Sequence, residues 1–122
     1  MTEPFLKKYG GRIGVTGRAS EKRLSNSMGG RLRPASGAMD GAKGDFTVAG
    51  SLVEAKSTTG RSIALKYSWL AKIVKEAIAE RRRPAVAISF VTENGLPERD
   101  GDWVLIRMSD YKRFLAYLEA DQ

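Results

Sequence analysis

The 122-residue chain contains neither cysteine nor histidine. Those absences remove zinc fingers, Cys/His zinc sites, thiol chemistry and Ser-His-Asp triads, together with any nuclease built on a histidine general base. The missing cysteines carry no positive information about redox compartment. No apolar run approaches the roughly 18 residues of a membrane span. The start, Met1-Thr2-Glu3-Pro4, lacks the apolar stretch of a secretory signal, so an intracellular, cytoplasmic protein is expected. Aromatic residues are 8% of the chain, and no pair of them occupies strand positions suited to base stacking, which disfavours an RNA-binding module.

Positive charge is what the chain has in excess. Net charge is +7, and residues 1–43 hold nine basic residues against three acids, so six of the seven surplus charges lie there. Such a region suits a polyanionic backbone. Membrane-surface binding usually comes with a strongly amphipathic basic helix, and this region shows none. With 42% hydrophobic and 29% charged residues, the composition is globular, and the length suits one domain with one core. Residues 1–19 interleave Gly10, Gly11, Gly14 and Gly17 with Arg12 and Arg18. They read as a flexible basic arm ahead of a single domain over 20–122, equally a solvated tail or a phosphate-contacting segment. The glycine spacing is no dinucleotide fingerprint, because no strand precedes it and no long helix follows.

Within the domain, chemistry concentrates between Gly44 and Lys56. Two runs of β-branched and apolar residues flank Ala49-Gly50 and predict a hairpin. A turn centred there pairs Val48 with Ser51, Thr47 with Leu52, Phe46 with Val53 and Asp45 with Glu54. Like charges on directly paired residues are destabilising, so a compensating function is expected. The two-residue period sends Glu54 and Lys56 to one face and Val53 and Ala55 to the other. Two acids and an amine thus converge, and carboxylates with waters and substrate phosphates are how Mg²⁺ is usually held. The short form is Asp-x8-Glu-x-Lys. Taken alone, an amphipathic hairpin with solvated charges satisfies the same pattern.

The flanking segments predict the rest of the fold. Ser20 is a reasonable N-cap for a short helix from Glu21 to about Met28, ended by Gly29-Gly30. Glu21 lies in the first turn, where a capping charge explains it without chemistry. Residues 31–44 are turn-rich and read as a substrate-contacting loop, with Arg31, Arg33 and Lys43 to hold phosphates and Ser36 to donate a hydrogen bond. Arg61 and Ser62, in the polar stretch after Lys56, are also assigned to DNA, and a short extended piece is expected over 62–65. The clearest helix then carries Trp69, Leu70, Ile73, Val74, Ala77 and Ile78 on one stripe, with Lys72, Lys75, Glu76 and Glu80 facing away. Trp69 reads as a core anchor rather than a base-stacking platform. Arg81, Arg82 and Arg83 suit a helix C-terminus, with DNA contact as the alternative. Residues 85–91 form a buried strand, 93–102 a polar turn region and 103–108 another strand. Ser109 or Asp110 caps a last helix with Tyr111, Phe114, Leu115 and Leu118 on one face. The expected class is α/β, a mixed central sheet flanked by helices.

Asp45…Glu54-Ala55-Lys56 resembles the active-site signature of the PD-(D/E)XK nuclease superfamily. Glu21 matches the additional helical acid of archaeal-type and phage Holliday-junction resolvases, and Ser36-Gly37-Ala38 with Lys43-Gly44-Asp45 also looks like small phage enzymes of this kind. One departure is that Gly44 stands where the family has proline. The resemblance implies a restriction-endonuclease-like αβββαβ core and a catalytic set of Glu21, Asp45, Glu54 and Lys56. It also implies Mg²⁺, with Mn²⁺ able to substitute, held by Asp45, Glu54 and the Ala55 backbone carbonyl. Lys56 would orient or deprotonate the attacking water, and Lys66 would be the polar residue near a helix start that assists the site. A homodimer and a phage gene acting in a bacterial host are implied as well. The expected function is a Mg²⁺-dependent, structure-selective DNA endonuclease, foremost a Holliday-junction resolvase. The alternatives are a nuclease of the same type on other duplex or branched DNA, and a non-catalytic basic DNA-binding protein.

Overall fold

The computed structural model describes residues 19–33 and 44–121. Helix α1 covers residues 19–28 and is followed by strands β1 (Arg31–Leu32), β2 (Phe46–Val48) and β3 (Ser51–Thr58). Helix α2 (Tyr67–Ala79), strands β4 (Arg83–Val91) and β5 (Pro97–Ile106) and helix α3 (Met108–Ala120) complete the order. The five strands form one sheet in the order β1-β2-β3-β4-β5. Only β3 and β4 run parallel, and a parallel pair needs a long crossover, which α2 supplies. The expected α/β class, a mixed sheet with flanking helices, is what the chain adopts.

Strand alternation divides the core into two layers. Val53 packs with Phe46, Ala85, Ala87 and Leu24 of α1, and Ala55 and Met28 join that cluster. Leu52 points to the opposite side and packs with Val86, Ile88, Ile73 and Ala77 of α2. Burial on both faces explains why β4 reads as continuously apolar, since Pro84 through Ser89 are all buried. Arg23 of α1 fixes that helix to the far side of the sheet. Its guanidinium meets Asp102 of β5 at 2.6 and 3.1 Å and Ser89 of β4 at 2.6 Å, and the Ser89 hydroxyl donates to Asp102 at 2.5 Å.

Several boundaries differ from the sequence reading. Ser20 is not the cap of α1: Ala19 is already helical, and the Ser20 side chain is buried. Residues 31–32 pair with β2 as an edge strand instead of belonging to a loop. No strand forms over 62–65, and β5 starts at Pro97, within the stretch expected to be a turn. Residues 97–100 are exposed, so no alternating apolar pattern announces them; pairing with the end of β4 makes them strand. The last helix starts earlier than expected, with Arg107 at its N-cap position, and its apolar face is not buried. No helix among the described residues is long and apolar enough to cross a membrane.

Candidate active site

The hairpin carries the site. Phe46, Thr47 and Val48 pair with Val53, Leu52 and Ser51, the register expected from the turn position. Ala49 turns the chain with φ of 52°. The ladder stops short of the fourth expected pair: Asp45 is not a strand partner of Glu54. Gly44 adopts φ of +68°, and the Asp45 N–H still donates to the Val53 carbonyl at 2.8 Å. The Asp45 carboxylate then swings across to accept the Ala55 N–H through Oδ2 at 2.6 Å. Asp45 therefore meets β3 through its side chain, a local connection that an Asp can make in place of a backbone bond.

Gly44 is fixed by three local demands. Its φ lies in the left-handed region, a Cβ added there would meet the Leu52 side chain at 2.7 Å, and its N–H donates to Glu76 Oε1 at 3.1 Å. Proline fixes φ near −65° and has no N–H. Glycine at this position is thus dictated by how this chain delivers Asp45.

Glu54 and Lys56 share the face of β3 that looks toward α2, with Lys56 Nζ 3.6 Å from Glu54 Oε2. Burial and the nearby Asp45 charge push the Glu54 carboxyl above its ordinary range, opposed by Lys72 and Lys56. Asp45 is also raised, chiefly by burial and further by Glu21, while the Ala55 N–H, Lys56 and Lys72 pull it down. Glu21 of α1 therefore lies close enough for its charge to act on Asp45. The three expected acids and the lysine occupy one neighbourhood.

Helix α2 adds three groups that the sequence reading placed elsewhere. Lys72 and Glu76 do not face away: Lys72 Nζ lies 3.9 Å from Glu54 and 3.2 Å from Glu76, whose side chain is only 11% exposed. Burial opposes the Lys72 charge, but Glu54 and Glu76 outweigh it and raise its pKa. Trp69 is half-buried, and Lys56 Nζ stands 4.6 Å over its ring, a cation–π contact that holds the ammonium beside Glu54. Trp69, Lys72 and Glu76 fall at i, i+3 and i+7, the flank of the apolar stripe. That spacing was the available clue, since a helix crossing β3 turns one flank to the sheet's polar end.

The expected DNA contacts fare unevenly. Arg33 is committed to the protein: Nη1 donates to Glu80 Oε2 at 3.0 Å and Nη2 pairs with the other carboxylate oxygen. Its distance from Glu80 in sequence hid this pairing, and Arg33 is withdrawn as a phosphate ligand. Arg31 is exposed on the edge strand, and Arg61, Ser62 and Lys66 are exposed between β3 and α2. Lys66 holds the N-cap position of α2, where its carbonyl accepts the Trp69 N–H, and Lys72 is the lysine of this helix that reaches the acids. Residues 1–18 of the expected arm and residues 34–43 of the expected loop, Ser36 and Lys43 among them, lie outside the described residues. Of the arginine triplet, Arg82 approaches the Ala49 carbonyl and Glu80, and Arg83 meets Asp110 at 3.5 Å.

Oxygen donors alone suit a hard cation such as Mg²⁺, which keeps several waters and takes one or two carboxylates. Among the described residues no group of three or more acids closes on a common metal position. Asp45 and Glu54 still fit the smaller demand, because each is a half-buried carboxylate whose charge a neighbouring acid opposes, Glu21 at Asp45 and Asp45 at Glu54, and a cation would relieve. Comparison of the chain with family models, curated proteins and solved structures returns no match.

Proposed function

We propose that the protein is a Mg²⁺-dependent, structure-selective DNA endonuclease of PD-(D/E)XK type, acting on branched DNA and foremost on four-way junctions as a homodimer. The observation that carries this reading is the hairpin that sets two partly buried, mutually repelling carboxylates, Asp45 and Glu54, beside Lys56. Keeping such charges together costs stability, which favours a role for them.

Asp45 and Glu54, with the Ala55 carbonyl, would hold the cation, and Glu21 would complete the acidic side. When bound, Mg²⁺ lowers the pKa of water and offsets charge on the phosphate. Lys56, steadied by Trp69, would orient the attacking water and neutralise charge as the water oxygen bonds to phosphorus and gives its proton to solvent, while the bond to the leaving sugar oxygen breaks and that oxygen takes up a proton from solvent. Lys72, its ammonium favoured by two carboxylates, keeps its proton and acts as a fixed positive charge. Glu76 holds both Lys72 and the Gly44 N–H, so it positions Asp45 from behind. The exposed Arg31 and Arg61 and the basic N-terminal third draw in the DNA backbone.

The test is cleavage of a labelled four-way junction against matched linear duplex, with Mg²⁺ or EDTA, by wild type and Glu54→Ala. Metal-dependent cutting of the junction by wild type alone is expected. Binding of both DNAs without cutting in any divalent metal would make the chain a non-catalytic DNA-binding protein.

A further inference from the structure

Helix α3 is helical without being packed. None of its thirteen residues is buried, and all except the half-buried Asp110 are exposed. An isolated helix shorter than about 12–15 residues is marginal in water, because helices in proteins draw their stability from burying an apolar face. Such a face exists here: Tyr111, Phe114, Leu115 and Leu118 are 50, 50, 41 and 42% exposed. The strand that leads into it exposes Trp103, Val104 and Ile106, and Ile106 lines a small apolar groove with Leu70, Ile73, Val74 and Leu105. Nine of the thirteen exposed large hydrophobic residues among the described residues fall between Trp103 and Leu118. Those of β5 alternate between the two sheet faces, with Trp103 opposite Ile88 on one and Val104 and Ile106 opposite Ala87 and Ala85 on the other, so the continuous patch is the α3 stripe with Met108 and Ile106 beside it. With large side chains offering about 150–250 Å² each, these six leave roughly 600 Å² open, most of the about 800 Å² per partner in a standard interface.

Charge identifies the occupant. Lys112 and Arg113 lie in the first half of α3, where Asp110 is already neutralised by Arg107 at 3.0 Å and Arg83 at 3.5 Å. Glu119 and Asp121 lie at the other end. The uncompensated charge therefore runs from positive to negative along the helix. Two copies set antiparallel about Leu115 bring Lys112 of each against Glu119 of the other on one flank of the stripe, the self-complementarity of an isologous contact. A parallel arrangement would face like charges together.

We propose that α3 and the adjoining end of β5 form a two-fold interface with a second copy of this chain, the two α3 helices antiparallel. The proposal specifies the surface of the dimer that cutting two strands requires, and it stands on exposure and charge rather than on the nuclease site.

Sedimentation equilibrium of the full chain at tens of micromolar tests it, with a mass of twice 13.4 kDa expected. Phe114→Glu, at an exposed position that leaves the core untouched, should raise the dissociation constant about 30-fold or more, as for a central apolar anchor. Lys112→Glu/Arg113→Glu and Glu119→Lys/Asp121→Lys should each be monomeric alone and form a dimer on mixing. A monomeric wild type, including one whose α3 is covered by a vesicle or another protein instead, overturns the proposal. So does a dimer insensitive to Phe114→Glu, or a charge-swapped pair that stays monomeric. Junction cleavage, followed in parallel, separates the two readings: a dimer that never cuts refutes the nuclease and leaves the interface standing.

Discussion

Replacing Gly44 by proline, the residue of the nuclease pattern that the chain resembles, should damage the protein. The magnitude follows from the three demands on that residue, and Gly44→Ala isolates two of them. A side chain at φ of +68° costs about 1–2 kcal/mol. Forcing a Cβ to within 2.7 Å of the buried Leu52 side chain adds about 1–3 kcal/mol of overpacking. Gly44→Ala should therefore lose about 2–5 kcal/mol, a large fraction of a typical domain's stability. Gly44→Pro also deletes the N–H donated to the Glu76 carboxylate, worth about 1.5–3 kcal/mol more, and cannot reach positive φ without rebuilding the approach to Asp45. Urea unfolding measures both variants, and Gly50→Ala serves as the control. A Cβ at Gly50 meets nothing within 4 Å and its φ is not positive, so a change within about 0.5 kcal/mol is expected. Gly44→Pro unfolding within about 1 kcal/mol of wild type would refute this account of the loop.

Four further outcomes are expected. Asp45→Asn should melt above wild type at neutral pH. The Asp45 carboxyl is raised in the folded state, so its favourable contribution is fully present below the ordinary value of 3.8 and is lost as pH rises through the folded value; thermal melts should converge in acid. Asp102→Asn should behave oppositely. The Arg23 guanidinium and the Ser89 hydroxyl hold Asp102 below 3.8, so its contribution is present above that value, and the variant should be less stable at neutral pH but equal to wild type in strong acid. Lys72→Met should move the acid limb of the pH–rate profile upward, because Lys72 helps hold Glu54 ionised; an unmoved limb would make Lys72 a bystander. Trp69→Leu should keep the fold but slow cleavage about 10-fold through a loosened Lys56, whereas Lys56→Met should cost about 100-fold or more.

The site was legible where strand physics is local. A turn at Ala49-Gly50 fixes which residues pair, and alternation then fixes that Glu54 and Lys56 share a face, so three pairs and one face followed from spacing alone. The fourth pair failed because the backbone leaves the ladder at a positive-φ glycine, and side-chain capping replaces pairing there. Contacts between distant segments were not legible. Arg33 looked like a phosphate ligand until Glu80, 47 residues away, was seen to hold it, and Lys72 and Glu76 looked solvated because helical periodicity orients a helix only relative to its own apolar stripe. The first half of β5 was hidden for a different reason, since residues 97–100 are exposed throughout and show no alternation, whereas the strand over 103–106 was expected.

The same geometry explains why the acids cluster where they do. The hairpin alone places Asp45 and Glu54, but it leaves their charges partly buried and mutually repelling, and the layers on each side of the sheet then act on them in opposite senses. From one side α1 brings Glu21 toward Asp45, and α1 is held in place by Arg23 reaching Ser89 and Asp102 on the far strands. From the other, α2 brings Lys72 to offset the charge and Glu76 to hold the loop that delivers Asp45. Neither helix could be placed by its own sequence, yet both modulate the rise that burial imposes on the hairpin acids: Glu21 adds to it at Asp45, and Lys72 opposes it at Asp45 and Glu54. A change at Asp102, on the opposite edge of the sheet from the hairpin, should therefore loosen Glu21 and lower the Asp45 pKa toward its ordinary value, a shift that titration of the Asp45 carboxyl by NMR in Asp102→Asn would register. No movement of that titration would mean that Arg23 anchors α1 without governing the site.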